Sequence, residues 1–536
     1  MAASRFFASF LLAFCAAGAA VSGSGARIKV WVELADKGPS HPHPDPAEAE
    51  AWRRYENRPV HDPYVQALRA SGLDIATTLK WQNMMSGWVN GAQVDALRRL
   101  PFVRRVDELP RKRATLPLAP PGSPSAKAAA APQDFGAFAG LFRTVGAATL
   151  RDTVAQRRLK PGDGIRIALM DADFHLGHAA FDSLFARDAI VDQYDFVADT
   201  AAAVTRTFGN SHGGQVLSQI AGELPGVLQG LAPHARFLLY RTESAPVEAY
   251  VEEDYLAAAI ERAVDSGAQV ISISLGYRYD FDSDPEVPYA HMDGRTRPSS
   301  LAAVAAARRG VLVVVAVGNE TASRGGEPTL VAPADADSIL SVGAVNAAGT
   351  RCWYSSTGPS ADGRRKPEVS SPGCSMPVAN TATPAGVYNL SGTSFAAPVV
   401  AGIAALLRQL HPDSAGVHAQ DIRAALIATA AQDSAPDNLV GHGVVDAGRA
   451  HCLLAFGAPC PPGREPTPIE NLYVWRGGTV AEFPWGTTLR PEHARAWDAR
   501  GRAVKLRGRW NADGHVELIA PGRRAPGALF LRIPVD

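Results

Sequence analysis

Between residues 136 and 456 the chain alternates short aliphatic runs with amphipathic stretches, and no other feature constrains its fold as strongly. The runs at 165–170, 236–240, 270–275, 311–317 and 339–345 are dominated by Val, Ile, Leu and Ala. That composition is expected of strands buried on both faces. Helical periodicity falls near 212–222, 253–266, 299–309, 394–408 and 419–430. Apolar strands separated by helices predict an α/β fold, a doubly wound parallel sheet with helices on both faces.

The 536 residues leave room for further units around this block. Residues 1–25 begin with one cation, Arg5, followed by an apolar run from Phe6 to Val21 and then small residues. This is the layout of a secretory signal peptide. No later apolar run matches it, so no membrane span is expected in the mature protein. Within 26–109, Ile28, Val30, Val32 and Leu34 alternate with Lys29, Trp31 and Glu33, the period of a half-buried strand. Asp62-Pro63 opens a helix through Leu68. An extended stretch at 77–89, a helix at 91–99 and a strand at 102–106 complete a small α+β unit of ferredoxin-like order. Residues 110–134 are Pro/Ala/Ser-rich and read as an exposed linker. After Cys460-Pro461-Pro462-Gly463, residues 461–536 show short alternating runs and glycine turns, which predicts a small β domain.

Lys plus Arg and Asp plus Glu both number 53, so no cationic excess exists to attract nucleic acid or an acidic membrane surface. Cys15 would leave with the signal. Cys352, Cys374, Cys452 and Cys460 then permit two disulfides in three connectivities, with the short Cys452–Cys460 loop as first choice. No CxxC or Cys/His cluster suggests zinc, and His41 and His43 read as loop residues.

Open parallel sheets gather functional residues where strands end and helices begin. Four such junctions carry reactive groups: Asp171 in MDADFHLGH, His212 in GNSHGG, Asn319 in VGNE and Ser394 in LSGTSFAAP. A serine hydroxyl is a poor nucleophile near neutrality and needs a base. An imidazole can take its proton and return it within one cycle, and a carboxylate can fix that imidazole's tautomer. A side-chain amide can stabilise the oxyanion that follows attack on a carbonyl.

These blocks, in this order, resemble the subtilisin-like serine endopeptidases, the subtilases, over about 136–456. GTSFAAPVVAGIAALL at 392–407 is the most specific part. YRTE at 240–243, ISISLGY at 271–277, MDGRT at 292–296, VAPADAD at 331–337 and STGPSADGRRKPEV at 356–369 are similar to a secreted bacterial subgroup. The resemblance implies a triad of Asp171, His212 and Ser394, with Asn319 in the oxyanion hole. It places substrate between Ser274-Leu275-Gly276 and Ala316-Val317-Gly318, with Tyr277 narrowing the entrance. The acidic stretch 243–254 is expected to be a solvated loop and helix start, with a preference for basic substrate residues as the alternative. No cofactor is required; calcium is common in the family, and Asp280, Asp282, Asp284 and Glu286 offer oxygen ligands. Residues 26–109 resemble the subtilase propeptide, an inhibitor removed at the 110–134 linker, where Arg111-Lys112-Arg113 is exposed. The tail resembles C-terminal sorting domains of type IX secretion, without their usual Pro-Asn-Pro-Phe opening. Together these imply a secreted or cell-surface zymogen acting on protein or peptide substrates.

Two departures stand out. Asp173 occupies a place where subtilases usually carry glycine, and His212-Gly213-Gly214 replaces the usual His-Gly-Thr. A second carboxylate there raises the base's pKa or disturbs the strand end. The competing class is therefore a catalytically impaired subtilase-fold binding protein. Residues 209–213 also match the GxSxG elbow of α/β-hydrolases, with Ser211 as nucleophile, but that motif requires a buried strand directly before it. Residues 201–207 make a poor one. His178 reads as a loop or supporting residue.

Overall fold

The computed structural model describes residues 27–45, 48–109, 136–244, 249–279, 281, 285–320 and 326–457, together with the backbone of strands between 472 and 532. The expected signal segment, the 110–134 linker, three of the four suggested calcium ligands (Asp280, Asp282, Asp284) and Cys460 lie outside the described residues.

The central sheet has seven parallel strands, in the spatial order Val369–Pro372, Leu340–Val345, Leu312–Ala316, Val270–Ile273, Arg166–Asp171, Arg236–Arg241 and Ile190–Asp195. The five aliphatic runs form its interior. The two strands that the pattern misses are its edges. IVDQYD alternates because one edge is partly solvated, and VSSP uses small serines where the 440–445 segment closes over it, with Ser370 donating to the Val440 carbonyl at 3.0 Å. Helices His212–Ala221 and Thr393–Leu410 cover one face; Tyr250–Asp265 and Pro298–Arg308 cover the other. Thr393–Leu410 is long and apolar enough to cross a membrane, yet 94% of it is buried as the core helix.

The N-terminal unit is a four-stranded antiparallel sheet in the order Asp74–Leu79, Met84–Asn90, Arg27–Leu34, Val103–Leu109. One face packs Val30, Val32 and Met85 under Leu68 and Leu97 of its own helices. The other face is not solvated, contrary to the alternation of Arg27–Leu34. Trp31, Leu79, Trp81 and Met84 join Leu256 and Ile260 in a core shared with helix Tyr250–Asp265. Lys29, on the Trp31 face, is fully buried in an ion pair with Asp254, which also accepts from Trp31 Nε1 at 2.7 Å. Glu261 accepts the backbone N–H groups of Lys80 (3.0 Å) and Trp81 (2.9 Å).

These contacts correct the reading of 243–254. Glu243, Glu252, Glu253 and Asp254 are buried, and Glu253 pairs with Arg297. With the N-terminal unit docked they are neither solvated nor an open acidic subsite.

The backbone after 471 forms one antiparallel sheet of Leu472–Trp475, Leu529–Arg532, Arg495–Asp498 and Ala503–Val504, and another of Val480–Ala481, Val516–Ile519 and Arg507–Trp510.

Candidate active site

Because the central strands are parallel, their C-terminal ends lie along one edge, and the four candidate residues meet there. Asp171 is the last residue of its strand and is 1% exposed. His212 opens helix His212–Ala221. Ser211 caps that helix: its Oγ accepts from Gly214 N at 3.0 Å and from His175 N at 3.1 Å, and donates to the Asp173 carbonyl at 3.2 Å. Ser211 is fully buried in this network, and only Val204–Thr205 precedes it as strand. It is a capping residue, and the GxSxG reading is set aside.

His212 Nδ1 lies 2.7 Å from Asp171 Oδ1, which also accepts from Ala172 N at 2.8 Å. Burial works to lower the His212 pKa, but the charge and hydrogen bond of Asp171 and the charge of Asp173 outweigh it and raise it above the ordinary value. Asp173 contributes at a distance, its carboxylate lying 3.9 Å from His175 Nε2 rather than on His212.

The strand end accommodates Gly214, whereas Asp173 keeps a buried Oδ1 without a hydrogen-bond partner. Gly213 must be glycine, since a Cβ there would sit 2.2 Å from the Asp173 carbonyl oxygen. At Gly214 a Cβ would meet Thr381 Cγ2 at 3.0 Å. Thr381 occupies the space a side chain at 214 would need, and its Oγ1 accepts from Ser211 N at 3.1 Å.

Ser394 sits in the first turn of Thr393–Leu410, where the helix N-terminus favours negative charge. Pro398, four residues on, has no N–H for the Ser394 carbonyl. Ser274 Oγ donates to that carbonyl instead at 2.9 Å, while Ser394 Oγ donates to the Ser274 carbonyl at 3.2 Å. The reciprocal pair fastens the start of this helix to the end of strand Val270–Ile273. Asn319 follows strand Leu312–Ala316, and its Oδ1 accepts from Thr393 N at 2.8 Å and Thr393 Oγ1 at 2.9 Å. A backbone N–H can only donate, so the oxygen is fixed and Nδ2 is left to donate.

Ser274–Gly276 and Ala316–Gly318 follow neighbouring strands. Val331–Ala332 joins them: Val331 N donates to the Val317 carbonyl at 3.3 Å, and Tyr277 N to the Ala332 carbonyl at 2.8 Å. The Val331 isopropyl group fills the gap, with Cγ2 2.1 Å from a Cβ built at Gly276 and 3.1 Å from one at Gly318. Val331, Thr393 and Thr381 are the site residues that the sequence reading overlooked. Tyr277 does not narrow an entrance: it is 1% exposed and its hydroxyl donates to Glu243.

His178 supports the rim from within, its Nδ1 accepting from Ala180 N at 3.1 Å and its Nε2 reaching the Gly386 carbonyl at 2.9 Å. Cys352 is bonded to Cys374, the bridge that remains when Cys452 and Cys460 are paired. Cys452 is also disulfide-bonded, to a partner outside the described residues. Among the described residues no cluster of three or more His, Cys, Asp or Glu could hold a metal.

Residues 162–443 match the model of the subtilase family, and 52–119 match the peptidase S8 propeptide domain of Bacteroidota. Subtilisin from Bacillus pumilus is 33% identical over 218 residues, 40% of this chain and 68% of that protein. Subtilisin E from Bacillus subtilis (strain 168) is 33% identical over the same length, 49% of that protein. The chain thus spans about half the length of the latter. Among solved structures, the prenylagaramide maturation protease PagA is 26% identical with a TM-score of 0.44, covering 57% of this chain and 98% of that one. The MycP3 protease of the type VII (ESX-3) secretion system is 23% identical with a TM-score of 0.47, covering 60% and 89%. With its family match spanning more than half of its length, the chain belongs to the subtilase family, and it carries the propeptide domain of a zymogen.

Proposed function

We propose that the protein is a secreted serine endopeptidase in which Ser394 attacks the scissile carbonyl, His212 takes the serine proton and passes it to the leaving amine, and Asp171 holds the imidazole. Asn319 Nδ2 and the backbone N–H of Ser394 receive the oxyanion, and the acyl-enzyme is then hydrolysed by the same steps with water as nucleophile. The observation that carries this reading is the Asp171–His212 pair at 2.7 Å on one sheet edge with Ser394 and a pre-oriented Asn319. With the N-terminal unit docked on helix Tyr250–Asp265, Ser394 Oγ is bonded to Ser274; turning about χ1 would release it for the base, and such bonds commonly tighten only with substrate.

Substrate backbone adds as a strand along 274–276. Val331 makes the slot shallow, which favours a small apolar residue before the scissile bond. The segment 26–109 inhibits by remaining docked on helix Tyr250–Asp265, and processing falls in 110–134, outside the described residues. The first 25 residues direct export. The 461–536 tail sorts the enzyme to the cell surface, and its deletion is expected to leave the enzyme in the periplasm. The domain division we adopt is 1–25, 26–109, 110–134, 135–456 and 461–536.

The rival reading, a binding protein disabled by Asp173 and Gly214, is weakened by the Asp171–His212 bond, which stands at 2.7 Å with both residues in place. Peptide cleavage by the purified mature protein tests the choice: it is expected to be lost with Ser394→Ala, and unchanged cleavage by that variant would reject the assignment.

A further inference from the structure

At the opposite end of the central sheet the catalytic unit holds a concave cleft of about 400 Å³. It is bounded by the turn leading into Arg166–Asp171, by the residues before Ile190–Asp195 and by Arg236, the first residue of its strand. Since the strands are parallel and six residues long, this end lies about 16 Å from the one bearing Asp171. Among the described residues none from 26–109 lines it.

Arg158, Lys160, Arg187 and Arg236 converge on the cleft with one carboxylate, Asp163. In a chain of zero net charge this concentration is local and one-sided. Arg158 and Arg187 follow the C-termini of helices Ala147–Gln156 and Asp182–Ala186, which favours cations there. Lys160 and Arg236 have no such reason, and among the described residues none of the four cations has a carboxylate within ion-pair distance. Arg187 donates from Nη2 to the Pro233 carbonyl at 2.6 Å, while its buried Nε–H has no partner. His234, in the same wall, is held below its ordinary pKa by burial and by Arg187 and Lys160, against the opposing charges of Glu223 and Asp163. Arg187 and Lys160 contribute to that lowering, while Glu223, 3.9 Å from His234 Nε2, is the larger single charge and opposes it.

We propose that this cleft binds a phosphate ester of about diphosphate size, anchoring the enzyme by a surface remote from Ser394. Arginine forks match phosphate oxygens bidentately, which a single carboxylate would use poorly. The half-open cleft, with its cations grouped at one sheet end, suits a compact, multiply charged head rather than an extended polymer. Free phosphate esters and phosphate-bearing lipid head groups share this chemistry.

The full chain carrying Ser394→Ala, which keeps it in one piece, is titrated calorimetrically with pyrophosphate. Separately it is sedimented with phosphatidylglycerol or phosphatidylcholine vesicles. Saturable one-to-one pyrophosphate binding indicates a soluble ligand, and retention by phosphatidylglycerol alone indicates a lipid head. In whichever arm is positive, the combined Arg158→Gln, Lys160→Gln and Arg236→Gln variant is expected to bind at least tenfold more weakly with an unchanged thermal midpoint. Arg236→Gln alone, at an exposed strand start, is expected to weaken binding about threefold or more, which guards against misfolding of the triple variant. No binding in either arm, or equal binding by the folded triple variant, overturns the proposal. Neither outcome bears on the role of Ser394.

Discussion

Asn319 Oδ1 is held by both donors of Thr393, the backbone N–H at 2.8 Å and the hydroxyl at 2.9 Å. The residue before the proposed nucleophile thus aims the amide that would stabilise its intermediate. Asn319→Ala is expected to lower kcat about 100- to 1,000-fold with little change in KM, a range that itself comes from a subtilisin. Thr393→Val keeps the backbone bond and loses the hydroxyl. A hydrogen bond worth about 1 kcal/mol net corresponds to a loss of about fivefold. Steady-state kinetics on one peptide substrate separates the two effects.

Asp173 adds negative potential to a base already paired with Asp171, and its charge is among the causes that raise the His212 pKa. The base must be neutral to act, so the acid limb of kcat/KM should lie above about pH 6.5. Asp173→Asn removes one raising charge and should move that limb to lower pH, leaving the plateau rate nearly intact. A profile that does not move would show that Asp173 is electrostatically silent.

Glu261 couples the propeptide interface to pH. Burial pushes its carboxyl up to about 7, against the lowering effects of the Trp81 and Lys80 N–H groups and the Lys80 and Lys37 charges. A carboxyl raised in the docked state binds more protons there than when released. Docking is therefore strongest below its free pKa and weakens as pH rises toward and through about 7. Lys37, lowered to about 8 chiefly by burial, acts in the opposite sense at higher pH, and Asp265 pairs with Lys80 beside it. Between pH 5 and pH 8, propeptide affinity for the mature enzyme should fall on the order of tens of fold. Glu261→Gln should flatten that dependence, as read from inhibition constants across the range.

Val331 packs between Gly276 and Gly318, in the proposed substrate slot. Val331→Gly should deepen it and raise kcat/KM for substrates with Phe or Leu before the scissile bond at least tenfold relative to Ala. That is the scale of about 1–3 kcal/mol expected for one or two methylenes in a hydrophobic pocket. An unchanged preference in a peptide series would place the specificity determinant elsewhere.

The sheet interior and the four candidate residues were legible because each lies in a local pattern: an aliphatic run, a strand end, a helix start. The edge strands Ile190–Asp195 and Val369–Pro372 were not, since partial solvation and small serines remove the aliphatic signal. Asp254 looked solvated because its partner, Lys29, is 225 residues away, and Lys29 looked solvated for the same reason. Thr381 and Val331 gain their roles from glycines distant in sequence, at 214, 276 and 318, whose missing side chains they replace. Cys352 and Cys374, 22 residues apart, meet because they follow neighbouring parallel strands.

Labelling of the purified mature enzyme with a fluorophosphonate, followed by peptide mass mapping, tests the central assignment most directly. One adduct per molecule is expected, on Ser394, and its formation should be abolished by His212→Ala. An adduct on Ser211 or another serine, or no adduct from protein that cleaves peptides, would contradict the assignment of Ser394 as nucleophile.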